Sequence, residues 1–172
     1  MMRMTRPRLQ VPRAKAATNP LLAKWRTENE LPPFAAIDPG HFKPALVAAF
    51  RIHKAEIDKI ANNPAKPTFA NTVRALEKSG TLLSRISHIF SNLEATDATP
   101  ELQEIAREMA PKFAAHETQM LLNKALFDRI EDLYRHRDKL KLADEDLRVL
   151  ERHHLEFVRA GARLSAASKS RV

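Results

Sequence analysis

The chain has 172 residues, enough for one domain with a real core, and its 44% hydrophobic and 29% charged residues are the balance of a globular protein. Three glycines and one tyrosine argue against sandwiches, barrels and nucleotide-binding loops, all of which use glycine turns. The absence of cysteine excludes a disulfide framework and thiolate metal sites and fits a reducing, cytoplasmic compartment. No apolar run approaches the ~18 residues that a membrane helix needs.

The net charge of +8 is unevenly placed. Arg3, Arg6, Arg8, Arg13, Lys15, Lys24 and Arg26 stand in residues 1–27 with no acid among them, so they carry almost all of it. A basic tail on a neutral body is the pattern of a disordered leader, here 1–18, more than of a nucleic-acid-binding face. The leader has neither a 7–15-residue apolar stretch nor a small-residue cleavage site, so it is not a secretory signal.

Helical signals fill the rest, with no strand alternation and no internal repeat. Leu21, Leu22 and Trp25 read as an anchor after the leader. Leu31-Pro-Pro-Phe34 reads as an extended connector, because proline fixes its own φ and biases the residue before it away from the helix. Asp38 and Pro39 then supply an N-cap and a first-turn proline. Phe42, Leu46, Ala49, His53, Ile57 and Ile60 follow as an apolar stripe, stopped by Asn62-Asn63-Pro64.

Thr68 reads as the next cap, before a stripe of Val73, Leu76, Gly80, Leu83, Ser87, Phe90 and Leu93. That spacing predicts one helix running through Gly80, with a close backbone contact there, although glycine costs about 1 kcal/mol inside a helix. Two shorter helices broken at Gly80 are the alternative. Thr99-Pro100-Glu101 caps a stripe of Leu102, Ile105, Met109, Phe113, His116 and Met120, with a kink expected at Pro111. Asn123 caps a shorter helix carrying Leu126, Ile130, Leu133 and Leu140.

Asp144 to Leu164 reads as a last full helix whose seam is Leu147, Leu150, His154, Phe157, Gly161 and Leu164. The eight residues Ser165–Val172 look like the start of a further helix with nothing after it, so the chain reads as truncated there. The expected fold is all-α, an array of five or six amphipathic helices with short loops.

The candidate chemistry is sparse. His53, His116 and His154 fall on apolar stripes of three different helices, where a packed histidine with one satisfied nitrogen is the leading reading over a shared metal. In Glu151-Arg-His153-His154-Leu-Glu156 the two imidazoles are adjacent, roughly 100° apart around a helix, and cannot easily grip one ion. Glu101, Glu104, Glu131, Asp132, Asp144, Glu145 and Asp146 are read as solvated carboxylates that stabilise helix starts. Arg135, Arg137, Lys139 and Lys141 are read as helix C-terminal cations, with a partner-binding patch as the lesser alternative. No catalytic residue and no metal ligand is assigned, and substrate-binding residues stay unknown.

Several segments nevertheless follow one another in a recognisable order. They are Asn19-Pro-Leu-Leu22, Leu31-Pro-Pro-Phe34, His41-Phe-Lys-Pro-Ala45, Ala55-Glu-Ile-Asp-Lys-Ile-Ala-Asn-Asn-Pro64, Pro67-Thr-Phe-Ala-Asn-Thr72, Ala75-Leu-Glu-Lys-Ser-Gly80 and Phe157-Val-Arg-Ala-Gly-Ala-Arg-Leu164. The series resembles the N-terminal region of the M3 family of zinc oligopeptidases, its peptidyl-dipeptidase branch more than its oligopeptidase A branch. The resemblance covers about 19–172. Ser91 and Glu94-Ala-Thr-Asp-Ala-Thr99 depart from the family pattern, which leaves that loop's conformation open.

The resemblance implies an almost wholly helical enzyme of two lobes around a deep channel that admits short peptides. It implies a zinc held in the later lobe by a helix carrying His-Glu-x-x-His, whose glutamate activates the metal-bound water. None of those residues occurs here, so the implied role is a catalytically silent N-terminal fragment that walls the channel. Its expected partners are the missing catalytic lobe and short peptides, with no membrane and no nucleic acid. A self-standing helical protein-interaction module is the alternative.

Overall fold

The computed structural model describes residues 19–27, 29 and 31–164. The basic leader at 1–18 and the helix start at Ser165–Val172 lie outside them. Among the described residues the regular structure is entirely helical: α1 (Phe42–Ala61), α2 (Val73–Glu77), α3 (Thr81–Thr96), α4 (Pro100–Leu121), α5 (Lys124–Arg135) and α6 (Asp144–Arg159). Single 3-10 turns stand at Phe34–Ala36, Pro39–His41 and Arg137–Lys139.

The caps form where the side chains allow them. Thr99 Oγ1 accepts the Leu102 N–H at 3.3 Å and Asn123 Oδ1 accepts the Leu126 N–H at 3.0 Å, each satisfying an amide with no partner inside its helix. Asp38 opens the 3-10 turn ahead of α1 and its N–H donates to His41 Nδ1 at 2.9 Å. Thr68 Oγ1 accepts the Asn71 N–H, so it caps a turn and the helix itself starts later, at Val73. α3 continues to Thr96, which makes Glu94–Thr96 helical and shortens the loop before α4 to Asp97–Thr99. α4 runs unbroken through Pro111.

α1 is the post of the assembly and packs against α2, α3, α4 and α5. Its first half is buried in one core, where Leu21, Phe42, Leu46 and Ala49 meet Ile86, Phe90, Leu102, Ile105 and Met109. Its second half is buried in another, where Ile57 and Ile60 meet Val73, Leu76, Leu126, Ile130, Leu133, Leu150 and Phe157. The stripe read from sequence is therefore continuous along α1 but serves two clusters, and His53 sits at their join. Each fully buried large side chain contributes about 1.5–3 kcal/mol from removal of its surface from water. Arg85 binds the N-terminal segment to the first core. It donates to the Leu21 and Ala23 carbonyls at 2.9 and 3.2 Å and lies 4.2 Å over the Trp25 ring.

The second core is tied to its linker by Arg129, a buried cation on the apolar side of α5. Its guanidinium donates to the Asn63 and Ala65 carbonyls at 2.8 and 3.0 Å and to Asn71 Oδ1 at 2.9 Å. The Asn62–Thr72 linker thereby finds partners for its carbonyls without regular structure, as buried backbone requires.

Three expected helices are shorter than the apolar spacing predicts. α5 ends at Arg135, so Leu140 lies beyond it, after the 3-10 turn. No helix runs through Gly80: α2 ends at Glu77, and Gly80 has φ +68° as the residue before α3. The chain turns there because the vacated space is taken. A Cβ on Gly80 would lie 3.0 Å from the His53 ring, and the Gly80 N–H donates to Glu56 Oε2 at 2.7 Å. The close approach expected at Gly80 is real but comes from an imidazole. α6 ends at Arg159 and does not reach Leu164. Gly161, at φ +92°, closes it: its N–H reaches the Val158 carbonyl and the Ala162 N–H reaches the Phe157 carbonyl, both at 3.0 Å. Leu164 is left 45% exposed.

Three substitution results should follow. Gly80→Ala combines left-handed strain with overlap on a packed ring and should lower stability to urea by about 2 kcal/mol or more. Gly161→Ala meets only the end of the exposed Leu164 side chain and should lose about 1 kcal/mol. Arg129→Leu leaves three acceptors without their donor and should lose about 2–3 kcal/mol, with proteolysis appearing first in the 62–72 linker.

Candidate functional site

Two of the three stripe histidines meet. His116 on α4 places Nε2 2.9 Å from His53 Nδ1 on α1, with ring centroids 4.9 Å apart. His53 Nε2 lies 3.2 Å from Ser79 Oγ. Ser79 donates its hydroxyl hydrogen to the Leu76 carbonyl at 2.7 Å, so its oxygen accepts from His53. His53 therefore carries its hydrogen on Nε2, its Nδ1 is the acceptor, and His116 Nε2–H is the donor. Burial lowers the pKa of His53, the charge of His116 lowers it further, and Glu56 acts in the opposite direction. Burial lowers that of His116.

His154 lies elsewhere. Its Nε2 donates to Glu131 Oε2 on α5 at 2.6 Å, and its ring stacks on Tyr134 with centroids 3.7 Å apart. Neighbouring His153 donates to Glu77 Oε1, at the end of α2, across 2.6 Å. Adjacent residues on α6 thus hold two different helices, as their separation around the axis requires.

Most of the carboxylates behave as expected; Asp132, in the last turn of α5 instead of at a helix start, and Glu131 do not. Glu101 stands in the first turn of α4, and Asp144, Glu145 and Asp146 in the first turn of α6. Glu104 is exposed and Asp132 pairs with His136. Glu131 departs from the solvated reading, because it sits in the body of α5, largely shielded from water, and accepts from His154, Arg163 and Arg135. Burial alone would raise its pKa, and those three donors more than offset that, so the carboxyl titrates below its ordinary value. Nothing in the sequence around Glu131 marks it out, since its partners lie four, 23 and 32 residues away.

The basic stretch is also tied internally. Arg135 pairs with Glu131 at 2.9 Å, while Arg137 pairs with Glu151 at 3.5 Å and lies 4.3 Å over Tyr134. Lys139 ends the 3-10 turn, and Lys141 takes a positive φ of 50° in the loop to α6.

This arrangement supports structure more readily than catalysis. Ser79 is not activated by His53, because its hydrogen is aimed at a carbonyl, and the adjacent Gly80 N–H is engaged by Glu56. Among the described residues no three His, Cys, Asp or Glu side chains converge on a point where they would hold a metal. The His53–His116 nitrogens face each other across a hydrogen bond, and His153 and His154 are each engaged with a carboxylate, so this donor set does not fit a zinc ion. His116-Glu117-Thr118-Gln119-Met120 repeats the start of a zinc-helix pattern, but a methionine stands where the second imidazole is needed.

No family model matches the chain. Known proteins do. It is 38% identical over 156 residues to a dipeptidyl carboxypeptidase of Salmonella typhimurium and 35% identical over 154 residues to that of Escherichia coli, covering 91% and 90% of this chain. An oligopeptidase A of Salmonella typhimurium is 30% identical over 116 residues, 67% of the chain. The chain spans only about 23% of the length of the two dipeptidyl carboxypeptidases and 16% of the oligopeptidase A. Near-complete coverage of this chain, together with the ordered segments from Asn19 to Leu164, assigns it. The chain belongs to the M3 family of peptidases, matching the N-terminal region of its members and more similar to the dipeptidyl carboxypeptidases than to the oligopeptidases A.

Proposed function

We propose that this chain is a non-catalytic helical part of a larger zinc-dependent peptidase that releases dipeptides from short peptides, and that its helices wall the substrate channel. The observation that carries the reading is the match of nine-tenths of the chain to under a quarter of a dipeptidyl carboxypeptidase. A second supports it: the 172 residues contain no His-Glu-x-x-His. In this reading the zinc and its general base belong to the catalytic lobe, which is this chain's partner together with short peptides. A cytoplasmic setting belongs to this reading, and a cysteine-free sequence is compatible with such a reducing compartment. No helix of the described residues is long and apolar enough to cross a membrane.

Exposed apolar surface on α1 favours a part over a whole. Val47 and Ile52 are 49% and 39% exposed, and a groove of about 480 Å³ runs between α1 and α4 past Val47, Phe50 and Ala115. The alternative, a self-standing helical interaction module, has in its favour two cores that close without further polypeptide.

Both readings meet in one exchange experiment. Residues 19–164 replace the matching stretch of the Salmonella dipeptidyl carboxypeptidase. The chimera should bind zinc, release dipeptides from blocked tetrapeptides and leave a folded protein uncut, while the 172-residue chain alone should release none. Zinc-dependent dipeptide release by the chain alone would overturn the silent role. A zinc-loaded chimera that attacks folded protein would overturn the channel-wall role.

A further inference from the structure

We infer that the His53–His116 pair is a proton-operated latch that seats the second half of α4 on α1, tolerates one proton and opens on the second. The hydrogen-bond order sets this count. His116 donates through Nε2, so a proton added at its Nδ1 leaves the bond intact and makes the donor an imidazolium. His53 accepts through Nδ1 and donates through Nε2 to Ser79. A proton on His53 Nδ1 removes the acceptor and sets two N–H groups against each other across 2.9 Å. The closed pair thus holds one proton and the separated pair holds two, which is a coupled titration owned by the pair.

The surroundings only partly offset the second charge: Glu56 favours it, against burial and the charge of His116. From α1, Glu56 is engaged with the Gly80 N–H, and Lys54 and Asp58 pair with each other at 2.6 Å beside His116. From the groove side stand Arg51 and Lys112, the latter paired with Glu108. From α6, His153 and Glu156 face His53 across a cavity of about 180 Å³ and lie within 3.6 Å of each other. The turn before α3 offers only the neutral Ser79.

What opens is decided by packing. The first half of α4 is held by buried Leu102, Ile105 and Met109, whereas from Lys112 onward Phe113, His116, Met120 and the terminal Leu121 are only partly covered. The sign follows from proton counting. The open state binds more protons than the closed one below the ordinary histidine value of 6.5, so closure is fully favourable above that value and weakens as pH falls through it. Each extra proton taken up on opening raises the opening constant about tenfold per pH unit.

The test is imidazole ¹⁵N titration combined with amide hydrogen exchange at 113–121 on the 172-residue chain, from pH 7.5 to 5. His53 should stay an Nε2–H tautomer while His116 charges first. Exchange, corrected for its intrinsic pH dependence, should quicken by about tenfold per pH unit as pH falls below the ordinary histidine value of 6.5. His116→Gln keeps an N–H donor for His53, and opening still takes up one proton, at His53, so its slope should stay near tenfold. The double variant His53→Gln/His116→Gln keeps a donor and an acceptor and should show no slope. A pH-independent wild type, an equal slope in the double variant, or a neutral-pH His53 protonated at Nδ1 would each overturn the latch.

Discussion

The architecture depends on one continuous helix serving two cores. α1 is 20 residues long, about 30 Å at 1.5 Å per residue, and no single cluster of side chains here is large enough to bury it. Its N-terminal half is fixed by the Phe42–Phe90 contact and the α4 stripe, its C-terminal half by α2, α5 and α6. Between them the stripe position falls to His53, a polar residue that must find partners because it is half-buried. It finds them on both sides, Ser79 from the α2–α3 turn and His116 from α4. Position 80 can therefore hold only glycine, since the imidazole occupies the space a side chain would need.

Much of this was legible in the sequence. Caps at Thr99 and Asn123 depend on a residue's own side chain and the next turn, so local reading finds them. The apolar stripes of α1 and α5 depend on a 3.6-residue period and are equally local. The lengths of three helices were not legible by the same rule, and in two of them a glycine is involved. Gly80 and Gly161 occupy positions that continue an apolar seam, and a periodicity count treats them as small core residues. Each instead takes a positive φ, at Gly80 because a ring from another helix arrives there, and at Gly161 because the last turn of α6 closes back on Phe157 and Val158.

The polar side chains were harder still, because their roles depend on partners far along the chain. His53 and His116 are 63 residues apart, and nothing in either segment announces the other. Glu131 looks like any carboxylate on an exposed helix until Arg163 and His154 are brought to it. Arg129 likewise carries no local mark of its role, yet it sits among Leu126, Ile130 and Leu133. The ordered series of short segments carried the family assignment better than any individual residue, because it summed weak signals over most of the chain. No local motif for catalysis is present, which is why fold and family could be read further than chemistry.

The Arg129 staple has a mechanical corollary. A guanidinium keeps its charge at every pH a cell meets, so the Asn62–Thr72 crossing remains pinned to α5 whatever the proton concentration. The α4 side has imidazoles where this side has arginine. The molecule is therefore built like a vice with one jaw bolted, and under the inferred latch acid would loosen only the far end of the other.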